Sequence, residues 1–225
     1  MRIGIIACEI FKDEIEALVD GDDDIVHKEF LEFGLHIEPE KMRQVVVEKA
    51  NAIKNKVDAV MLGYCYCQSL MGVTKDIEVP AEMIHTDDCI GVFLTPIGYA
   101  EERRRCPGTW YNSPGWTTLG IDGVIRELRL DTVKDEIDPM ELLHMIFASY
   151  SRCLFIDTGA GDTESLRKRS REFAETMDLK HEERKGSYDL LKETLKRVKT
   201  LAKECVKKES RPEAIVSSGD DDLIA

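Results

Sequence analysis

The chain has 225 residues, 43% hydrophobic and 33% charged, enough apolar material for one medium globular domain or two small lobes and too much for disorder throughout. Thirty-one Lys and Arg against forty-four Asp and Glu leave a formal net charge of -13, which opposes the phosphate neutralisation that nucleic-acid binding requires. The apolar runs fall short of the roughly 20 residues of a membrane span, and the opening MRIGIIACEIFKDEIE turns acidic where a signal peptide stays apolar; the reading is a cytoplasmic protein with no nucleic acid and no membrane as partner.

In chain order, RIGIIAC reads as a strand and EIFKDEIEALV as a helix, with Ile10, Ile15, Leu18 and Val19 near helical spacing. Asp20 to Asp24 make a turn, IVHKEFLEF a second strand, and Pro39 opens the amphipathic stretch EKMRQVVVEKANAIKNK. DAVMLGYC is a strand ending in a turn over residues 63–67, QSLMGV can start a helix, and AEMIHT returns as an extended run. Residues 95–120 differ in character, with three prolines, both tryptophans and two tyrosines, too aromatic for a linker. A helix follows over Pro139 to Tyr150, then RCLFIDTGAGD as strand and glycine turn, and SLRKRSREFAETMD and SYDLLKETLKRVKTLAKECVKK as helices with charged outer faces. The alternation predicts an α/β fold: an open, mostly parallel, Rossmann-like sheet with helices on both faces and an aromatic Pro/Gly loop. The organisation is a single domain over 1–209, or two small lobes over about 1–95 and 120–209 joined by that loop, with 210–225 as a tail or short packed segment. A homo-oligomer is compatible with these totals.

Seven cysteines without a secretory signal read as reduced thiols. No CxxC occurs, which excludes a zinc ribbon; the tight pair is Cys65 and Cys67, on one face if extended. Ligands in open α/β sheets bind at the carboxyl ends of the strands, which singles out Cys8, Cys67 and Cys89. Cys89 also precedes a helix-like run, where a thiol is favoured as thiolate. Each can equally be a small buried hydrophobe. As ligands, three thiolates suit an iron–sulfur cluster or zinc, and their softness excludes magnesium and calcium.

Candidate acid/base groups or further ligands are Glu9, His36 and His85, against plain readings of a helix-start charge for Glu9 and surface or core histidines for the others. Asp87 and Asp157 join the carboxylates near the crevice, and Asp88 reads as a helix cap. Trp110 and Tyr111, between two Pro-Gly turns, and Trp116, directly after the second, can wall a pocket for a flat cofactor or form a minicore. Arg103 to Arg105 can recognise a carboxylate or phosphate or be a solvated helix face. The turn DTGAGD lacks a phosphate-loop lysine and reads as a strand-to-helix connection.

Together IACE, LEFGLHIEPEKM, VMLGYCYC, DDCIGVFL, PGTWYNSPGW, FIDTG and KGSYDLLK resemble the domain-of-unknown-function family numbered 1638 of methanogens and anaerobic bacteria. The family's CE, LH-before-proline, GYGLCGN-like turn, HDC and PGT-to-PGW loop fall here on Cys8 and Glu9, His36, Cys67, Cys89, and Pro107 to Trp116. Cys65 stands where the family has glycine, Gln68 and Ser69 replace Gly-Asn, and Asp87 replaces the histidine of HDC, with His85 two residues earlier. The resemblance implies a place beside corrinoid-dependent methyltransferases. Three functions follow as expectations: a soft-metal or iron–sulfur accessory protein on Cys8, Cys67 and Cys89, reaching corrinoid through a partner; a metal-free thiol acid/base enzyme of racemase type using Cys8 with Cys67 or Cys89; or a docking or chaperone module for a corrinoid protein or methyltransferase.

Overall fold

The run RIGIIAC forms strand β1 (Ile3–Cys8), buried at all six positions, as an interior strand of a parallel sheet must be. A 3-10 turn over Glu9–Phe11 leads into helix α1 (Lys12–Leu18). Strand β2 (Ile25–Leu31) alternates in exposure, which suits its place at a sheet edge. Helix α2 (Pro39–Ala52) carries Pro39 in its first turn, where no backbone N–H is needed. Strand β3 (Ala59–Cys65) is buried throughout, and β4 (Ala81–Ile84) completes a parallel sheet of order β2-β1-β3-β4. This computed structural model describes residues 1–33, 35, 38–66, 70–133 and 137–209; the terminal segment 210–225, read above as a tail, lies outside them. Of the segment read as a helix start, Gln68 and Ser69 also lie outside, and Val73–Lys75 is a single 3-10 turn.

Helix α3 (Cys89–Arg105) is broken at Thr95, whose φ of 62° is left-handed. The break has a local cause: Pro96 cannot continue the first half, and the Thr95 Oγ1 accepts the Gly98 N–H at 3.2 Å, capping the second half. The chain then forms β5 (Thr109–Asn112), α4 (Pro114–Glu127), α5 (Pro139–Phe147), β6 (Arg152–Asp157), α6 (Thr163–Thr176), β7 (Lys180–Lys185) and α7 (Asp189–Glu209). Strands β5, β6 and β7 make a second parallel sheet in that order. The parallel α/β architecture is therefore present, with its strands divided over two sheets. The aromatic loop itself contributes β5, and the charged run KHEERK contributes β7.

Each sheet has its own core. Ile3, Ile5 and Ile6 of β1 and Val60, Met61 and Leu62 of β3 anchor the first; Cys153, Phe147 and Phe173 sit in the second. Helix α7 leaves the second sheet and returns to the first, where Leu191, Leu195, Val198 and Ala202, spaced on one helical face, are buried against it. The N–H of Ser187 reaches the Phe93 carbonyl at 2.9 Å, fixing the crossing. No helix among the described residues is long and apolar enough to cross a membrane.

A buried acid joins the two halves. Glu14 of α1 is 0% exposed, and its Oε1 accepts the Thr158 hydroxyl at 2.8 Å from beyond β6, while its Oε2 has no partner among the described residues. Burial pushes this carboxyl up from 4.5 to about 7, against the lowering effect of the Thr158 bond. Because the folded value lies above the unfolded one, stability falls as pH rises from 4.5 through about 7. Relative to Glu14→Gln, the native chain should lose roughly 3 kcal/mol across that window, at about 1.4 kcal/mol per pH unit, measurable as urea midpoints at pH 4 and 8.

Candidate functional site

The carboxyl end of β1, the carboxyl end of β3 and the start of α3 converge on a cavity of about 240 Å³. Cys8 is the last residue of β1, Cys65 the last of β3 and Cys89 the first of α3, and all three line it. Its remaining walls are mainly apolar and aromatic, with Ile10, Phe11, Phe33, Met42, Tyr64 and Trp116. The exposed Glu32 and Asp87 stand with Asp88 on the same lining.

Burial dominates the electrostatics. It pushes the Cys8 thiol far above the ordinary thiol value, with the Cys89 and Glu9 charges adding to the rise. The Cys89 thiol is pushed up to about 12, first by burial and then by Asp88, while the Trp116 side chain and neighbouring backbone offset part of it. The expectation of a thiolate at the helix start is corrected here. Asp88 caps α3, its Oδ1 accepting the Gly91 N–H at 2.8 Å, so the helix end is shared between a carboxylate and the sulfur, and the carboxylate's charge raises the thiol. Tyr64 is 6% exposed, its hydroxyl has no hydrogen-bond partner among the described residues, and burial together with the Cys8 and Glu9 charges keeps it a neutral phenol.

The candidates from sequence divide. Cys8, Cys89 and Trp116 meet in the cavity. Cys67 and His36 lie outside the described residues. Glu9 does not line the thiol cavity; its Oε1 accepts the Phe33 N–H at 2.8 Å, tying the end of β1 to the segment after β2. It faces a neighbouring cavity of about 320 Å³ that shares Glu32 and Phe33. His85 is not brought to the cavity either. It is exposed, stacked on Tyr66 with centroids 5.1 Å apart, and 3.5 Å from the Glu82 carboxylate.

The aromatic loop serves two ends. Trp110 belongs to the second core, packed on Phe147 and Phe173, its indole N–H donated to Asn112 at 2.8 Å. Tyr111 stands edge-on to Tyr99 at 5.2 Å. Neither lines the thiol cavity: consecutive residues of β5 face opposite sides of its sheet, with Trp110 packed on the second core and Tyr111 against the first. Trp116 touches both regions, 4.4 Å from Phe33 and 5.0 Å from Trp110 between ring centroids. Its position depends on Gly115: a Cβ there would meet the Ile10 carbonyl oxygen at 2.3 Å and its Cα at 2.7 Å. Since backbone cannot yield as a side chain can, Gly115→Ala should cost roughly 1–3 kcal/mol and change the tryptophan emission, both read in one urea titration.

Two weaker signals resolve as structural. Arg105 ends α3 with an ion pair to Glu182 at 3.2 Å, and Arg103 lies over the Tyr99 ring. In DTGAGD, Gly159 and Gly161 take φ of 76° and 69°, Asp157 accepts the Gly159 N–H, and Asp162 caps α6, a strand-to-helix turn. Sequence reasoning missed Cys65 and Tyr64 as cavity residues; the signal for Cys65 was its position two residues from Cys67 at a strand end.

Among the described residues no three His, Cys, Asp or Glu side chains stand close enough together to hold a metal ion as they are. The described thiols thus share a cavity without forming a closed ligand set, and a complete centre on this cavity requires either Cys67 or approach of the thiols onto the ion.

Neither the curated proteins nor the solved structures contain a match to the chain. A family model described as "Protein of unknown function (DUF1638)" matches residues 30–195, a span that takes in β3, α3 and the aromatic loop and so most of the cavity. With the greater part of its length matched, the chain belongs to the DUF1638 family.

Proposed function

We propose that the chain is a soft-metal or iron–sulfur-binding accessory protein, with Cys8 and Cys89 as two ligands and the Cys65/Cys67 pair supplying more. In this reading it works in a reducing cytoplasm beside a corrinoid protein or methyltransferase, in anaerobic one-carbon metabolism. The observation that carries the proposal is that Cys8, Cys65 and Cys89, from three separate segments, line one cavity. Sulfur donors in an apolar enclosure select soft cations and exclude competing water. When bound, a zinc ion would supply Lewis acidity, and an iron–sulfur cluster would supply one-electron chemistry. The chain's own part is to hold the thiols protonated and buried until a cation displaces the protons, and to close one wall with Trp116.

The test is titration with cadmium under exclusion of oxygen, following the ultraviolet cadmium–thiolate band. About one equivalent should bind, with the band abolished in Cys8→Ser and Cys89→Ser and kept in Cys153→Ser, whose sulfur lies in the second core. No band, or one indifferent to Cys8 and Cys89, would refute the proposal.

A second reading, a thiol acid/base enzyme of racemase type, is favoured by one observation: Cys8 and Cys89 come from different elements and line the same cavity. The raised thiols weigh against it, since such a pair needs one thiolate near neutral pH. Alkylation at pH 7.5 that modifies Cys8 or Cys89 rapidly and selectively would favour it over the metal reading.

A further inference from the structure

The lining of the thiol cavity is strongly one-sided in charge. Among the described residues it includes three carboxylates, Glu32, Asp87 and Asp88, four aromatic rings, Phe11, Phe33, Tyr64 and Trp116, and no Lys, Arg or His. The start of α3, a positive feature at the cavity, is already met by the Asp88 cap, and Arg126 lines the neighbouring cavity, not this one. An anion entering here would face three like charges with no compensating donor of opposite sign. A compact cation with apolar surface would meet ring faces, to which cations are attracted electrostatically, and carboxylates at the rim. Within this enclosure the Tyr64 hydroxyl is buried and has no partner among the described residues, a polar group that a ligand would satisfy.

We propose that the cavity binds a small organic ammonium ion, held against the aromatic walls and carboxylates, with the Tyr64 oxygen accepting one of its N–H bonds. This goes beyond the soft-metal reading and does not rest on it, since none of these contacts uses a metal. Thiolates closed on a soft divalent cation would keep the neighbourhood negative and would leave the preference for a cation unchanged.

The experiment is calorimetric titration of the full chain as purified, its metal content measured on the same sample, with four probes of similar size: isopropylammonium, tetramethylammonium, neutral isobutyramide and anionic isobutyrate. The expected result is that both cations bind at least about tenfold tighter than the amide and that isobutyrate does not bind. Tyr64→Phe should weaken isopropylammonium about fivefold, the scale of one lost hydrogen bond, and leave tetramethylammonium, which has no N–H, unchanged. Asp87→Asn, at an exposed position, should weaken both cations and serves if Tyr64→Phe fails to fold. Failure of either cation to bind, tighter binding of isobutyrate, or equal loss of both cations in Tyr64→Phe would overturn the proposal, whatever the metal analysis shows.

Discussion

Soft-cation affinity should rise about 100- to 1000-fold for each pH unit between 6.5 and 8.5, because two or three thiols must each give up a proton to bind. The sign follows from the free protein. Burial and the Asp88 charge hold Cys89 at about 12, and burial holds Cys8 higher still, so both are thiols across this whole window. The bound form is deprotonated, and each released proton adds a factor of about ten per pH unit. Competition between the protein and a chelator of known proton affinity, at pH 6.5, 7.5 and 8.5, measures the slope. Cys65→Ser tests whether the third described thiol takes part; if it does, the slope falls by about one tenfold step. A flat profile would mean that the sulfurs are not ligands or that they are already ionised, and either contradicts the site as described. Extended above pH 8.5, the same titration reports the burial itself, because an exposed thiol pair near its ordinary pKa would lose this steepness there.

Replacing Arg152 should be the most damaging single change to the fold. Its side chain is 4% exposed at the start of β6. The Nε donates to the Thr109 hydroxyl of β5 at 3.0 Å, one terminal nitrogen donates to Glu182 of β7 at 3.1 Å, and the other pairs with Glu102 of α3 at 2.7 Å. One guanidinium therefore ties all three strands of the second sheet to the helix that carries Cys89. Removing one member of such a set strands a buried charge, which costs about 3–5 kcal/mol. For a chain of this size that is a Tm lower by roughly 10 °C, at about 2–4 °C per kcal/mol, in Arg152→Met. The double change Arg152→Met with Glu102→Leu should recover part of the loss, because the stranded carboxylate is removed along with its partner. Acid has the matching effect: Glu182 is lowered to about 2, first by Lys180 and Arg152, and Glu102 is lowered by Arg152 and Arg184. The contribution of Glu182 is thus complete above the ordinary carboxylate range and is lost progressively as pH falls from there toward about 2, and that of Glu102 is lost in the same direction.

The parts legible in the sequence were those with a strong hydrophobic period. The uninterrupted apolar runs of β1, β3 and β6 and the helical spacing in α6 and α7 are direct signatures of burial. Asp88 as a cap was equally readable, because the acceptor lies just before the apolar helix. Strand β7 was not, since KHEERK holds its place by ion pairs: Glu182 to Arg152, Arg184 to Glu102 and Glu183 to Arg167. No apolar alternation exists there to detect. Strand β5 was hidden because the flanking Pro-Gly pairs mark a loop while Trp110 and Asn112 pack as strand residues. The division into two sheets was equally invisible, as it depends on which strand edges pair. At the site, chain position alone placed Cys8 and Cys89 together, by the rule that strand ends carry the ligands. It could not separate Trp110 from Trp116, six residues apart, both half-buried, the one in β5 and the other in α4 at the cavity wall. Nor could it show that Glu9 is engaged by the Phe33 backbone and that His85 turns to Tyr66.

The most direct measurement is iron, zinc and acid-labile sulfide content of the chain purified without oxygen, with Cys8→Ser, Cys89→Ser and Cys153→Ser prepared alongside. A thiolate-bound soft centre in the cavity predicts near-stoichiometric zinc, or iron with sulfide, in the native protein and in Cys153→Ser, and its loss from both Cys8→Ser and Cys89→Ser. Native protein without stoichiometric metal, or metal that persists undiminished when Cys8 and Cys89 are replaced, would contradict it.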